Sequence, residues 1–288
     1  MKKILVTGGA GFIGSNLCES LSQDPKLEVY SLDNYSTGKI ENHIKNVTYL
    51  VGDTKDIFSI CDFAPDTVIH LGEYSRVEQS FEDVREVWNS NKSGTFEVLE
   101  FCKANNSKLV YAGSSTKFGD LGKSKDQTPY GWTKSSNTEL VVRYGDWYNL
   151  NFAIVYFYNA YGPREISEGK YATLIAIFTE KMKKKQPLTV VSPGNQIRNF
   201  THVHDIVSGI RLVAEKGHGD GYGIGSDRSY SIKEIAQLFG GNIEMLPARR
   251  GNRFSAELIT EKTISLGWSP KYKIEDYIDT LREKNWIL

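Results

Sequence analysis

With 35 Lys and Arg against 35 Asp and Glu in 288 residues, the chain carries no formal net charge, so it lacks the basic surplus of a dedicated nucleic-acid binder. Hydrophobic residues make up 40% and charged residues 24%, which excludes disorder and predicts a sizeable core; no apolar run approaches the roughly 18 residues of a membrane span. Cys18, Cys61 and Cys102 are odd in number and far apart, which argues against a disulfide framework, and glycines at once interrupt the apolar stretch after Met1-Lys2-Lys3, so a cytoplasmic protein without a signal peptide is expected.

Short apolar runs alternate with helix-length segments through the first half. Lys3–Thr7, Glu28–Leu32, Val47–Val51, Thr67–Leu71, Lys108–Ala112 and Phe152–Phe157 read as strands, several of them nearly continuous apolar runs suited to burial on both faces. Between them, Phe12–Gln23, Val84–Ala104 and Tyr130–Tyr148 read as helices, and this alternation predicts an α/β fold with a Rossmann-type doubly wound parallel sheet. After about residue 160 the pattern is mixed, with helices expected near Tyr171–Lys184, Val203–Lys216, Ser231–Phe239 and Ile274–Lys284. The expected division is a dinucleotide-binding domain over 1–160, with a returning segment near 197–216, and a smaller mixed α/β lobe over 161–288. Lys181–Lys185 is read as a solvated helix C-terminus, where cations complement the dipole, and the glycine-dense Gly217–Gly225 as a tight turn into a strand.

The first strand runs into Gly8-Gly9-Ala10-Gly11-Phe12-Ile13-Gly14, so Gly8, Gly11 and Gly14 sit between a strand and a helix. Residues without Cβ let the backbone approach a pyrophosphate, and the N-terminus at Phe12 and Ile13 offers free N–H groups and a positive dipole end. Nineteen residues beyond Gly14, Asp33 ends the second strand, where a carboxylate accepts hydrogen bonds from ribose hydroxyls and repels a 2′-phosphate; this predicts NAD rather than NADP, with Asn34 beside it. Asp53-Thr54 follows the third strand and is placed either to meet the adenine or to cap a helix.

The fifth strand leads to Ser114-Ser115-Thr116, and Thr128-Pro129 is a helix start that puts Tyr130 and Lys134 four apart on one face. A phenol with a solution pKa of about 10 is ionised about once in a thousand at neutral pH, and a cation one turn away stabilises its phenolate. Ser114 can donate to the same substrate oxygen. His202-Val203-His204-Asp205 has too few neighbouring ligands for a tetrahedral cage, so no metal is expected; His70 is read as packing, and the cysteines as small core residues.

Together with His70-Leu71-Gly72, Asn91-Lys92-Ser93-Gly94-Thr95, Asn159-Ala160-Tyr161-Gly162-Pro163-Arg164, Arg198-Asn199-Phe200-Thr201-His202-Val203 and Leu266-Gly267-Trp268-Ser269-Pro270, these residues resemble the extended short-chain dehydrogenase/reductases that modify nucleotide sugars. The similarity covers nearly the whole chain and is nearest to 4-epimerases, 4,6-dehydratases and related 4-oxidising enzymes. The resemblance implies that Tyr130 is the base for a sugar C4 hydroxyl, that Lys134 holds the nicotinamide ribose, that Ser114 shares the reacting oxygen, and that Leu71, Gly72 and Tyr158 line the cofactor. It further implies that Thr116, Asn159, Arg198 and Arg249 meet a nucleoside-diphosphate sugar and that the protein is a homodimer paired through the long helices before and after the fifth strand.

Four features depart from the family pattern. Ser115 and Thr116 replace the acidic pair that dehydratases carry; Glu73 and Lys117 replace small or apolar residues; Tyr156 stands where an arginine is common; and the stretch between Gly119 and Tyr130 is short, which implies an open or reshaped sugar site. The expected activity is therefore oxidation at C4 by NAD, ending in epimerisation or in release of the 4-keto sugar with NADH. The rival from another class is a non-catalytic NAD sensor, which has no need of an intact Ser114, Tyr130 and Lys134.

Overall fold

The structure, a computed structural model, describes residues 2–248 and 254–287. Six strands are met in chain order: β1 (Lys2–Thr7), β2 (Leu27–Asp33), β3 (Val47–Val51), β4 (Thr67–His70), β5 (Lys108–Ser114) and β6 (Phe152–Phe157). They form one parallel sheet with Gly219–Ile224, in the order Gly219–Ile224, β6, β5, β4, β1, β2, β3. The order reverses beside β1, so the loops leaving β1 and β4 diverge and open a crevice at the carboxyl edge.

Strand alternation explains the continuous apolar runs. Ile4, Val6, Ile69, Val110, Ala153 and Val155 face Leu17 and Leu21 of the Phe12–Ser22 helix and Ile206, Ile210 and Val213 of the Val203–Lys216 helix. Their strand neighbours Leu5, Val68, Leu109, Tyr111 and Ile154 face Val98, Leu99 and Phe101 of the Gly94–Asn105 helix and Val141 and Tyr144 of the Pro129–Tyr148 helix. Cys18 lies in the first cluster, Cys61 and Cys102 in the second; all three are buried and unpaired. A third cluster, centred on Tyr161, Phe178, Leu188, Phe200, Ile235, Phe239 and Ile278, is the core of the smaller lobe.

The structure refines several expectations. The glycine-dense stretch, expected as a turn into a strand, is itself a strand, Gly219–Ile224, with a register shift between Gly219 and Tyr222. The segment expected as one helix over Val84–Ala104 is broken: a short turn of helix at Val84–Val87 and a π-type stretch at Trp88–Ser93 precede the Gly94–Asn105 helix. The π stretch turns Asn91 inward, where its side chain accepts from the Tyr74 N–H (2.7 Å) and donates to Thr133 Oγ1 (3.1 Å). His202 caps the Val203–Lys216 helix by accepting from the His204 N–H and stacks on Tyr272, 4.4 Å between centroids.

Asp205, one turn into that helix, accepts from the backbone N–H groups of Lys271 and Tyr272 at 3.0 Å each, and its carbonyl accepts from Trp268 Nε1. This explains the Leu266–Pro270 motif as a clasp between the sheet-packed helix and the C-terminal segment. Hydrogen bonds to a buried charged acceptor contribute about 1.5–3 kcal/mol each. Asp205→Ala is therefore expected to lower the unfolding free energy by about 2–4 kcal/mol, read as an earlier urea midpoint with an unchanged denaturant slope.

Candidate active site

The crevice at the carboxyl edge is a cavity of about 660 Å³, walled by the β1, β4 and β5 loops on one side and by the smaller lobe on the other. Gly8, Gly11, Phe12, Ile13 and Gly14 line its floor. Gly8 has φ +73°, and a Cβ there would lie 2.9 Å from Gly72 Cα; a Cβ on Gly14 would lie 2.0 Å from Gly8 O. Only glycine permits this approach, which leaves the start of the Phe12–Ser22 helix open to a phosphate. Asp33 Oδ2 accepts from the Ala10 N–H (2.9 Å) and Oδ1 from the Tyr35 N–H (2.8 Å). Burial holds its carboxyl above the usual range despite those two donors. Asn34, Thr54, Leu71 and Gly72 join the same wall. The glycine cradle and the carboxylate at the second strand end fit NAD.

Two residues expected at the cofactor do not line the cavity. Asp53 lies outside the cavity lining, where it accepts from Lys55 N and Asn34 Nδ2 and caps the following turn. Tyr158 is buried on the other side: its hydroxyl donates to Glu257 O (2.7 Å) and accepts from the Ile259 N–H. Phe157 lines the cavity in its place, because adjacent residues leaving a strand face opposite ways. That parity was available in the sequence.

The reactive side chains converge. Thr128 caps the Pro129–Tyr148 helix by accepting from the Gly131 N–H (2.9 Å), with Pro129 at its first position. Tyr130 then projects into the crevice and its hydroxyl donates to Ser114 Oγ at 3.1 Å. Ser114 Oγ also accepts from Thr116 Oγ1 (2.9 Å), so the hydroxyls of Tyr130 and Thr116 converge on it. Lys134, one turn along, is buried and donates to Ala112 O (2.5 Å).

Glu73 faces this site rather than solvent. Its carboxylate forms an ion pair with Lys134 and accepts from Thr95 Oγ1 (2.8 Å), Tyr111 OH (3.1 Å) and Asn137 Nδ2 (3.1 Å). Burial opposes its ionisation, but the Lys134 ammonium and these donors outweigh it and hold the carboxyl below its ordinary range. His70 is buried beneath, between Thr7 Oγ1 (2.7 Å) and Thr95 Oγ1 (3.0 Å), and burial lowers its imidazole to about 4, which keeps it neutral at physiological pH.

Lys117 and Tyr156, by contrast, meet each other. Both contact Asp220: Lys117 Nζ at 3.0 Å, and the Tyr156 hydroxyl donating at 2.6 Å. They tie the turn after β5, and β6 itself, to the edge strand, away from the crevice. The short Gly119–Tyr130 stretch turns through Asp120, Leu121 and Gly122, all at positive φ, and Asp120 Oδ1 accepts from the N–H groups of Phe254 (3.0 Å) and Ser255 (3.1 Å).

Asn159, just after β6, and Arg198 line the cavity; Arg198 Nη1 donates to Ile197 O and Phe254 O. Arg249 lies outside the described residues. Arg76 is a cavity residue the motifs did not reveal: it donates to the carbonyls of Tyr171 and Ser75. The signal for it was position, an arginine in the loop after β4 at the edge where ligands sit. Among the described residues no cluster of three or more His, Cys, Asp or Glu is arranged to hold a metal, and no helix is long and apolar enough to cross a membrane.

Comparison with known proteins agrees with this geometry. Over 303 aligned positions the chain is 30% identical to a putative UDP-glucose 4-epimerase of Methanocaldococcus jannaschii, covering 99% of this chain and 98% of the relative. The UDP-glucose 4-epimerase of Thermotoga maritima, solved with UDP-glucose, superposes with a TM-score of 0.89 at 28% identity, covering 98% and 99% of the two chains. That of Thermus thermophilus, solved with NAD, gives 0.87 at 28% identity and 96% of each chain. The sequence profile of the NAD dependent epimerase/dehydratase family matches residues 4–225, most of the chain, and this protein belongs to that family of NAD-dependent nucleotide-sugar enzymes.

Proposed function

We propose that the protein is a nucleotide-sugar 4-epimerase: it oxidises the C4 hydroxyl of a nucleoside-diphosphate sugar and reduces the 4-keto sugar from its other face. The observation that carries this reading is the Tyr130–Ser114 contact with Lys134 one helical turn away, at a crevice that also holds a dinucleotide cradle. NAD, held by the Gly8–Gly14 cradle and Asp33, would supply the hydride acceptor and donor for the sugar carbon. The chain's own residues handle the proton and the pose. Tyr130 Oη takes the hydroxyl proton on oxidation and returns it to the carbonyl oxygen on reduction. Ser114 Oγ holds that oxygen. Asn159, Arg198 and Arg249 are assigned to the diphosphate, for which a planar guanidinium is matched, so that the sugar turns while its diphosphate stays anchored.

Two other fates of the keto sugar rank lower. Dehydration needs an acid and a base after Ser114, and Ser115 and Thr116 supply neither; the Thr116 hydroxyl is engaged with Ser114. Release of the keto sugar with NADH, a net dehydrogenase, is favoured by the short, tethered Gly119–Tyr130 segment, which offers less cover over the sugar. An NAD sensor without catalysis has no use for the complete Tyr130, Ser114 and Lys134 set. Three unpaired buried thiols favour a cytoplasmic setting. We also propose a homodimer through the helices flanking β5, where Val84, Trp88, Phe96, Trp132 and Trp147 are exposed and Trp88 stacks on Trp132 (centroids 5.8 Å apart).

Tyr130→Phe is expected to retain NAD and lose turnover by about 100-fold or more; full activity of the variant would remove Tyr130 from the proton-carrier role, and no turnover by the unmodified protein across a panel of UDP- and GDP-sugars would return the sensor reading. Product NMR alongside nicotinamide absorbance separates the outcomes: an inverted C4 without net NADH is expected, whereas a free 4-keto sugar with stoichiometric NADH marks the dehydrogenase. Asp33→Ala is expected to weaken NAD binding more than NADP binding in titration calorimetry, and an unmodified protein that prefers NADP would contradict the assignment of Asp33. Light scattering at micromolar concentration is expected to give twice the chain mass, a value that Trp88→Glu should halve.

A further inference from the structure

From Arg76 we infer the class of sugar that the crevice takes: a nucleoside-diphosphate uronic acid, whose C6 carboxylate pairs with the Arg76 guanidinium. The inference rests on the reading of Tyr130 as the residue that acts at C4.

Arg76, on the loop after β4, lines the crevice together with Tyr130. Neutral groups alone hold its guanidinium in place. Nε (3.0 Å) and Nη2 donate to Tyr171 O, and Nη1 donates to Ser75 O (3.1 Å), with a longer contact to Ser75 Oγ (3.5 Å). Tyr171 is itself fixed: its ring packs edge-on against Tyr74, 5.9 Å between centroids, and its hydroxyl donates to Asp83 (3.4 Å). A guanidinium has five N–H donors and no acceptor. Three of them go to main-chain carbonyls, which leaves Nη2 with an N–H that meets no acceptor among the described residues.

No carboxylate answers its charge. Those of this quarter are engaged elsewhere: Glu73 with Lys134, Asp83 with Lys170 (2.7 Å) and the Tyr74 hydroxyl (2.9 Å), and Glu165 with the Gly162 N–H (3.1 Å) and Thr173 Oγ1 (2.6 Å). Glu78, two residues on, lines the crevice without forming an ion pair with Arg76. Burial meanwhile opposes the charge and lowers the guanidinium from its ordinary value. Lys134, also in the crevice wall, has its anion in Glu73. A cation taken out of water and given only dipoles is completed by an anionic ligand.

The neighbours of Arg76 place that anion on the sugar. Among the ionisable groups around it, the Tyr130 phenol interacts most strongly with the guanidinium, ahead of Tyr74, Tyr171 and Glu165. With Tyr130 acting at C4, C6 of a hexose is only two bonds from the reacting carbon, and a carboxylate there falls to a cation beside Tyr130. The diphosphate leaves the ring at C1, on the opposite side from C4, and is assigned to Arg198 and Arg249, so it does not compete for Arg76. A planar carboxylate matches the planar fork of arginine, whereas the neutral hydroxymethyl group of a hexose leaves the charge unpaired.

The test is calorimetric titration of the NAD holoenzyme with UDP-glucuronate and UDP-glucose, with GDP-mannuronate and GDP-mannose as a second pair and UDP and GDP as references. In the pair that binds, the uronate is expected to bind at least about tenfold more tightly than its neutral partner, the weight of one charge-assisted hydrogen bond. Arg76→Gln is expected to bring that ratio to about one, and Arg76→Lys to keep part of it, because a point charge retains attraction without the fork. The same ratio should appear in kcat/KM, followed by product NMR. Equal or weaker binding of the uronate by the unmodified protein overturns the inference, a result that depends on no variant folding. So does an Arg76→Gln protein that keeps the preference, or one that loses uronate, neutral sugar and free nucleotide by a common factor, which would confine Arg76 to holding Tyr171. Turnover of neutral sugars alone removes the uronate and leaves the epimerase reading standing; absence of turnover with every sugar removes the epimerase reading, and this inference with it.

Discussion

The ion pair between Glu73 and Lys134 joins four parts of the chain that are far apart in sequence. Glu73 leaves the loop after β4, Lys134 lies on the Pro129–Tyr148 helix, Ala112 O belongs to β5, and Thr95 and Asn137 come from the two helices packed over that face. Taking a carboxylate and an ammonium out of water costs several kcal/mol per ion, and their attraction alone does not reliably repay it. Here the remaining carboxylate lone pairs are occupied by Thr95, Tyr111 and Asn137, and the ammonium has a second acceptor in Ala112 O. Removing either partner would leave a buried charge, at a cost of about 3–5 kcal/mol. The pair therefore fixes where the helix sits on the sheet, and the same helix carries Tyr130 to Ser114.

The second constraint is the close approach of three backbone turns at the carboxyl edge. Gly8, Gly14 and Gly72 touch where any Cβ would clash, so β1 ends, the Phe12–Ser22 helix begins and β4 exits within one small volume. A parallel sheet is what makes this convergence available, because every strand delivers its loop to the same edge. The dinucleotide cradle and the reactive hydroxyls are thus consequences of one topology, set on cores that are almost fully dry: Leu5, Val6, Leu109 and Val110 have no measurable exposure.

What the sequence disclosed and what it withheld divide by range of interaction. The glycine loop, Asp33 at its strand end, the Thr128-Pro129 helix start and the Tyr130/Lys134 pair are encoded within a few residues, and each lies where local rules place it. Asp53 was open between cofactor and cap because an aspartate after a strand satisfies both patterns; its side chain caps the following turn, which is compatible with either. The resemblance assigns Tyr158 to the cavity, although the parity of β6 favours Phe157. The three unusual residues needed tertiary partners: Glu73 meets Lys134 across 61 positions, and Lys117 and Tyr156 meet Asp220 across 103 and 64. No window of sequence contains such pairs. The break in the Val84–Ala104 segment was hidden for a related reason, since Asn91 gains its buried partners only after Tyr74 and Thr133 arrive.

The crevice joins two walls that rest on different cores. Tyr130, Ser114 and the glycine cradle stand on the sheet, where two hydrophobic clusters and the Glu73 network leave little freedom. Phe200, Ile175 and Ile232, on the opposite wall, belong to the smaller lobe with its separate cluster. Inverting a sugar at C4 places opposite demands on the two walls. The reacting oxygen must return to the same proton donor to within a few tenths of an ångström, which only a rigid wall permits. The sugar must also turn over while its diphosphate is held, which requires anchoring at a distance and space between. On the proposed reading, Tyr130 mounted on the sheet and Arg198 across the crevice would meet both demands. The short Gly119–Tyr130 segment is pinned near its start, where Asp120 Oδ1 accepts from the N–H groups of Phe254 and Ser255.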